Sequence, residues 1–256
     1  MGGISLGASV GAAGGWVMGG GHSALSPKFG LGATRSLFVF CPFLNYSDPG
    51  VDNVLQFTIV LASGSLITTN SFQYPDLFWA LRGGGGGTYG VIISATYQTH
   101  PTFPLTGAFL TSNFTSPAIA QNVVTEFIKL HPTISDAGWG GYTTLSNSSF
   151  SAILAAPNIS WADTNSTFLP FVQYVNEATG GLIQAQTIPF NSFYELYLTL
   201  FANMDGQVGT PSELASRLLP RSLAETDPGK AAKIMLSLDG GVLMKSVGSR
   251  PSIRLT

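Results

Sequence analysis

The chain has 256 residues, enough for one large domain or two ordinary ones. Apolar residues make up 45% and charged residues only 9%, the net charge is −2, and no basic run occurs, which argues against a nucleic-acid partner. A single cysteine, Cys41, excludes an internal disulfide and a cysteine-rich metal site, and no stretch is long and apolar enough to span a bilayer.

Residues 1–25 are rich in Gly and Ala, with VGAAGGWVMGGGHS at their centre, and residues 34–50 are aromatic-rich. Two β-rich runs, NVLQFTIVLA and LITT, meet at Ser63-Gly64-Ser65, which predicts a hairpin. Pro75 and Asp76 predict the entry to a short helix over 76–82, since Pro suits the first turn and a carboxylate there favours the helix dipole. Five glycines, Gly83 to Gly87, follow, and then an alternating strand, VIISATYQT. Beyond Pro104, helical spacing appears over 117–130, with Val123, Phe127 and Leu130 on one face. Strands are expected near 138–146 and 150–156. A helix is expected over 166–178 on the stripe Phe168, Phe171, Val172 and Val175. A strand at LIQAQTI and helices over 191–202 and 229–238 complete the reading. The change in texture near residue 100 divides the chain into segments 1–100 and 101–256.

Glycines between a structured helix and a strand let backbone N–H groups approach a ligand, because no Cβ intervenes. Rows of such N–H groups favour anions such as phosphate. A flexible linker is the competing reading, but both flanks here are apolar and regular. A Rossmann fingerprint runs strand, glycines, helix; the five-glycine run has the reverse order.

The segments VGAAGGWVMGGGHS, LSPKFGLG, DNVL and PDLFWALRGGGGGTYGVI, in that order, resemble the FAD-linked oxidases related to berberine bridge enzyme, within the vanillyl-alcohol-oxidase superfamily. The secreted fungal members are the nearest in texture. The resemblance implies an α+β flavoprotein. Residues 1–100 would form the later part of a PCMH-type FAD-binding domain, and 101–256 part of a substrate domain built on an antiparallel sheet with helices. It implies FAD as cofactor and a small-molecule substrate. The reaction would take a hydride from an alcohol, amine or sugar carbon and pass the electrons to O₂. Gly11, Gly14, Gly15, Gly20, Gly21 and His22 would form one cofactor loop. Asp52, Asn53 and Val54 would lie near the adenine half. Arg82, Gly83, Gly84, Gly85, Gly86, Gly90, Val91 and Ile92 would complete the cleft. Arg82 either pairs with a phosphate or caps its own helix. Trp16 and Trp79 are expected to pack rather than stack on a ring, and Tyr142, Tyr174, Tyr194 and Tyr197 are candidates for a pocket wall. No catalytic residue is assigned.

Three departures from the family pattern accompany the match. The phosphate loop that usually precedes residue 7 is expected to be missing, and so is the segment that usually follows GGVLMKSV. The enzyme is therefore expected to be inactive as this chain alone, and a catalytically dead glycoprotein or small-molecule-binding module is the alternative. Residues 34–50 interrupt a stretch that relatives run straight through, and read either as a translated intron or as a surface loop. The tail from about Ser246 is expected to be loose. Asn-X-Ser/Thr acceptors at Asn45, Asn113, Asn147, Asn158 and Asn165 point to a glycosylated, secreted ancestor, although no signal peptide is visible. Four of them, Asn113, Asn147, Asn158 and Asn165, are carried forward as candidate glycan sites.

Overall fold

The computed structural model describes residues 24–25, 51–85, 87–98, 100–200, 218–238 and 242–246. In chain order its strands are β1 (Val54–Val60), β2 (Leu66–Asn70), β3 (Val91–Tyr97), β4 (Leu105–Asn113), β5 (Gly140–Leu145), β6 (Ser149–Pro157), β7 (Ile183–Phe190) and β8 (Val242–Ser246). The helices are α1 (Pro75–Leu81), α2 (Pro117–Asp136), α3 (Trp161–Thr179), α4 (Phe193–Leu200), α5 (Arg221–Thr226) and α6 (Pro228–Leu236). The α+β class expected from the sequence is the one observed. The chain divides into two compact units, Met1–Thr102 with Ser192–Ser216, and Phe103–Asn191 with Arg217–Thr256.

In the first unit β1 lies between β2 and β3 and runs antiparallel to both. The alternation of β1 sends Phe57 and Ile59 inward, both fully buried. α1 closes over them with Phe78 and Leu81, and the Phe57 and Phe78 rings meet at 6.0 Å. The expected β1–β2 hairpin forms. Gly64 at φ +81° makes its turn, and the Gly64 N–H donates to Leu61 O at 2.9 Å. Asn70 Oδ1 then accepts from the N–H groups of Phe72 and Gln73, both at 2.9 Å, which turns the chain toward α1. Trp79, expected to pack, is instead 68% exposed, because α1 turns Phe78 and Leu81 to the core.

The second unit is a five-stranded antiparallel sheet in the order β7-β4-β6-β5-β8. Register sets Ala108, Leu110, Ala152, Leu154 and Leu145 on one face, where α2, α3, α5 and α6 complete the core. Phe127 of α2 meets Phe150 edge-on at 5.0 Å and Phe171 of α3 at 5.6 Å. Trp139 stands edge-on to Phe168 at 4.9 Å. Large-to-small changes among such rings cost about 3–5 kcal/mol.

Helix ends follow their caps more closely than their apolar stripes. α3 starts five residues before the expected point. Ser160 Oγ accepts from the Asp163 N–H at 3.1 Å and donates to Asp163 Oδ2 at 2.7 Å, a capping pair that fixes the start. Gly180 ends it at φ +68°, and the Gly181 N–H bonds Asn176 O at 2.9 Å. α2 continues past Leu130 through Pro132 to Asp136, because fully buried Ile134 anchors the last turn. Exposed Arg221 joins α5 to the end of α2 by a two-pronged bond to Asp136. The guanidinium holds the Asp136 carboxyl below its usual range.

Residues 34–50, and the tail beyond Ser246, lie outside the described residues.

Candidate functional site

Of the expected cofactor residues, Gly11, Gly14, Gly15, Gly20, Gly21, His22 and Gly86 lie outside the described residues. The others divide between the two ends of β1. Asp52, Asn53 and Val54 enter the strand, and Val54 pairs with Tyr97 at the far end of β3. Gly90, Val91 and Ile92 open β3, where Val91 pairs with Val60 and Ile92 with Ile59. At about 3.3 Å per residue the two groups stand on the order of 20 Å apart along the sheet.

At the entry end, Asn53 is buried. Its Oδ1 lies 2.9 Å from His100 Nε2, and its carbonyl oxygen accepts from the Gln98 N–H at 2.8 Å. Val54 belongs to the core. Asn53 and Val54 thus serve the junction of β1 with the end of β3.

The other end holds the glycine loop. α1 stops when the Arg82 N–H bonds Trp79 O and the Gly83 N–H bonds Leu81 O. From there Gly83, Gly85 and Gly87 take φ +122°, +93° and +73°, conformations that side chains other than glycine resist. A Cβ at Gly83 or Gly87 would meet nothing within 4 Å. Thr88 Oγ1 ties the loop by donating to Gly84 O at 3.0 Å. Among the described residues, the N–H groups of Gly84, Gly85 and Gly87 donate to no acceptor. Arg82 lies beside them. Its guanidinium carbon stands 4.6 Å over the Phe78 ring, and its Nε is buried with no hydrogen-bond partner. A buried donor left unmet costs about 1–3 kcal/mol. Arg82 therefore caps α1 through its backbone, while its buried Nε meets no acceptor among the described residues. N–H donors that meet no acceptor beside a guanidinium nitrogen with none suit a phosphate or diphosphate.

Not every glycine here has open space where a Cβ would stand. A Cβ on Gly84 would meet Ala80 O at 2.3 Å and Tyr89 Cε2 at 2.7 Å. On Gly90, at φ +153°, it would meet Val60 O at 2.3 Å. Both are glycine because their own chain crosses them closely. Gly87, absent from the expected set, has the open geometry, and its place in the same five-glycine run was the signal that could have found it.

In the second unit, the sheet face opposite the helices carries Leu105, Phe109, Tyr142, Ile153 and Phe190 at one end. Gly107 leaves room for two rings, since a Cβ there would meet Phe109 Cζ at 2.7 Å and Phe190 Cε2 at 3.2 Å. Burial pushes the Tyr142 phenol up to about 12. Phe109 was not singled out by the sequence because β4 was not anticipated, and Phe190 because the expected strand LIQAQTI stopped two residues short of it. Of the four candidate tyrosines, Tyr142 lies on this face. Tyr174 packs with the helices on the other face, and Tyr194 and Tyr197 of α4 stack on each other at 6.4 Å in the first unit. Among the described residues no group of three or more His, Cys, Asp or Glu could hold a metal, and no helix is long and apolar enough to cross a membrane.

A three-stranded sheet with a glycine loop, and a five-stranded antiparallel sheet backed by helices, are an architecture that the chain shares with flavoproteins of the vanillyl-alcohol-oxidase type. It is 26% identical to the VAO-type flavoprotein MtVAO615 from Myceliophthora thermophila C1, with a TM-score of 0.65 over 86% of this chain and 37% of that one. It shares the fold of wild-type BBE-like 1 of Physcomitrella patens, with a TM-score of 0.53, 20% identity, and 74% of this chain and 36% of that one covered. In sequence it is 34% identical over 252 residues to the FAD-linked oxidoreductase ffsJ of Aspergillus flavipes, covering 96% of this chain and 36% of that relative. No family model matches the chain. Over nearly its whole length the chain is similar to FAD-linked oxidoreductases, and it spans little more than a third of the length of the ffsJ relative.

Proposed function

We propose that this chain is part of an FAD-dependent oxidase, with the first unit belonging to the FAD-binding domain and the second to the substrate domain. The observation that carries the reading is the 34% identity, sustained over 252 residues, to a protein named as an FAD-linked oxidoreductase. The open N–H donors of Gly84, Gly85 and Gly87 and the unmatched Arg82 Nε support it, since they suit the diphosphate of a dinucleotide. When bound, FAD supplies acceptance of a hydride from an alcohol, amine or sugar carbon and return of the electrons to O₂. The chain's own part is to hold and screen. Arg82 and the loop neutralise negative charge, and the half-buried face bearing Phe109, Tyr142 and Ile153 offers an apolar wall for a small molecule. Tyr142 keeps its proton at neutral pH and serves as a hydrogen-bond donor there.

The destination of the protein is read as secretory, and its surface as N-glycosylated. With only 9% charged residues, glycans would supply hydrophilic cover that the side chains do not.

The test is purification after expression through a secretory host, followed by a visible spectrum and oxygen-uptake assays with alcohols, amines and sugars. Flavin absorbance, retained or restored by added FAD, supports the reading, and oxygen uptake would further show that this chain carries the activity by itself. A folded protein that neither retains nor takes up FAD overturns it.

A further inference from the structure

We infer that Asn113 is an N-glycan attachment site and that the first sugar lies in a polar depression on the open face of the five-stranded sheet. Asn113 heads the acceptor Asn113-Phe114-Thr115 and is the last residue of β4, paired with Ser149. Its side chain is exposed and projects from the face opposite the helices. Among the described residues nothing bonds its amide nitrogen, the atom to which the sugar would be joined.

The depression beside it has a volume of about 430 Å³ and is lined by Thr111, Asn113, Ser149, Ser151 and Gln184, with Gly181 at its rim. Register places Thr111, Asn113, Ser149, Ser151 and Gln184 on the same open face. Its lining holds hydroxyls and amides, with Phe150 and Leu182 as its apolar members, and no charged group. A neutral, hydroxyl- and amide-bearing ligand suits that lining, and an N-acetylated hexose is such a ligand. An ionic ligand would find no counter-charge there.

Asn45 lies outside the described residues, and the other described acceptors lack this arrangement. The Asn147 Nδ2 donates to Leu236 O at 2.9 Å, which ties the β5–β6 turn to α6. The Asn165 Oδ1 accepts from Thr187 Oγ1, which holds a half-buried amide between α3 and β7. A glycan on either would have to be accommodated at a contact the fold already uses. Asn158 is exposed, at φ +57°, but does not line the depression.

This inference rests on the secretory reading above, and the experiment separates the two. Fusion to a strong leader forces the full chain through a secretory host whatever its natural destination. The purified protein is digested with a peptide N-glycosidase in ¹⁸O-water, and acceptor sites are mapped by mass spectrometry. Asn113 is expected to carry label, with Asn147 and Asn165 unlabelled or nearly so. A secreted, folded protein with Asn113 unoccupied overturns the site. The bed is tested by the rate at which the enzyme releases the Asn113 glycan from native protein. Ser151→Ala with Gln184→Ala is expected to speed release several-fold while leaving the melting temperature and occupancy unchanged. An unchanged rate overturns the seating of the sugar.

Discussion

Asn53 Oδ1 and His100 Nε2 lie 2.9 Å apart and fasten the start of β1 to the chain just beyond β3. The contact is partly buried, and the Gln98 N–H reinforces it by bonding the Asn53 carbonyl at 2.8 Å. Asn53→Ala removes one partner of a sheltered pair, and should lower stability by about 1–3 kcal/mol. Urea unfolding monitored by fluorescence measures it. Unchanged stability with weakened FAD binding would instead give Asn53 the cofactor role.

Gly90 presents a different kind of constraint. At φ +153°, with Val60 O 2.3 Å from where a Cβ would stand, alanine forces β1 and β3 apart. Gly90→Ala should cost at least about 2 kcal/mol. Gly87, which faces open space, differs: Gly87→Ala carries only the backbone strain of φ +73°. Thermal melts of the two variants should rank Gly90→Ala as the less stable.

His131 of α2 is half-buried against Phe127, ring to ring at 5.7 Å. Burial lowers its pKa from the ordinary 6.5. The unfolded chain therefore takes up a proton at 6.5 while the folded chain resists it. Its contribution to stability is complete above pH 6.5 and is lost as pH falls from 6.5 through the folded value. The urea midpoint should drop across that window in the native chain and drop less in His131→Phe.

Tyr142 has the opposite sign along the pH axis. Its phenol, pushed up to about 12 by burial, holds its proton in the folded state after the unfolded state has lost it at 10. That contribution is complete below pH 10 and fades as pH rises toward 12. Ultraviolet titration of the folded protein should show a late tyrosinate step that Tyr142→Phe removes.

Much of this architecture could be read from the residues. The β1–β2 hairpin was visible because Ser63-Gly64-Ser65 breaks two β-rich runs, and α3 because Phe168, Phe171 and Val175 share a face. β4 was not, because LTGAFLTSN has glycine and small polar residues where a strand signal would need branched ones. Its place between β6 and β7 supplies what its propensity lacks. The continuation of α2 through Pro132 was likewise hidden, since a proline inside a helix argues locally for a stop. At the site, the sequence identified the glycine run but could not say which glycines face outward. That depends on Tyr89 lying across Gly84 and on Val60 O lying against Gly90, both contacts that only the folded chain makes.

The account depends on the loop from Arg82 to Gly90 receiving the negative charge of a flavin dinucleotide. Titration of FAD into the purified chain, followed by quenching of flavin fluorescence, tests it with the native protein and Arg82→Ala in parallel. The account predicts saturable binding that weakens about tenfold or more in the variant, as loss of a charge-assisted hydrogen bond implies, with the melting temperature of the free protein nearly unchanged. Equal affinity in the two folded proteins would contradict it.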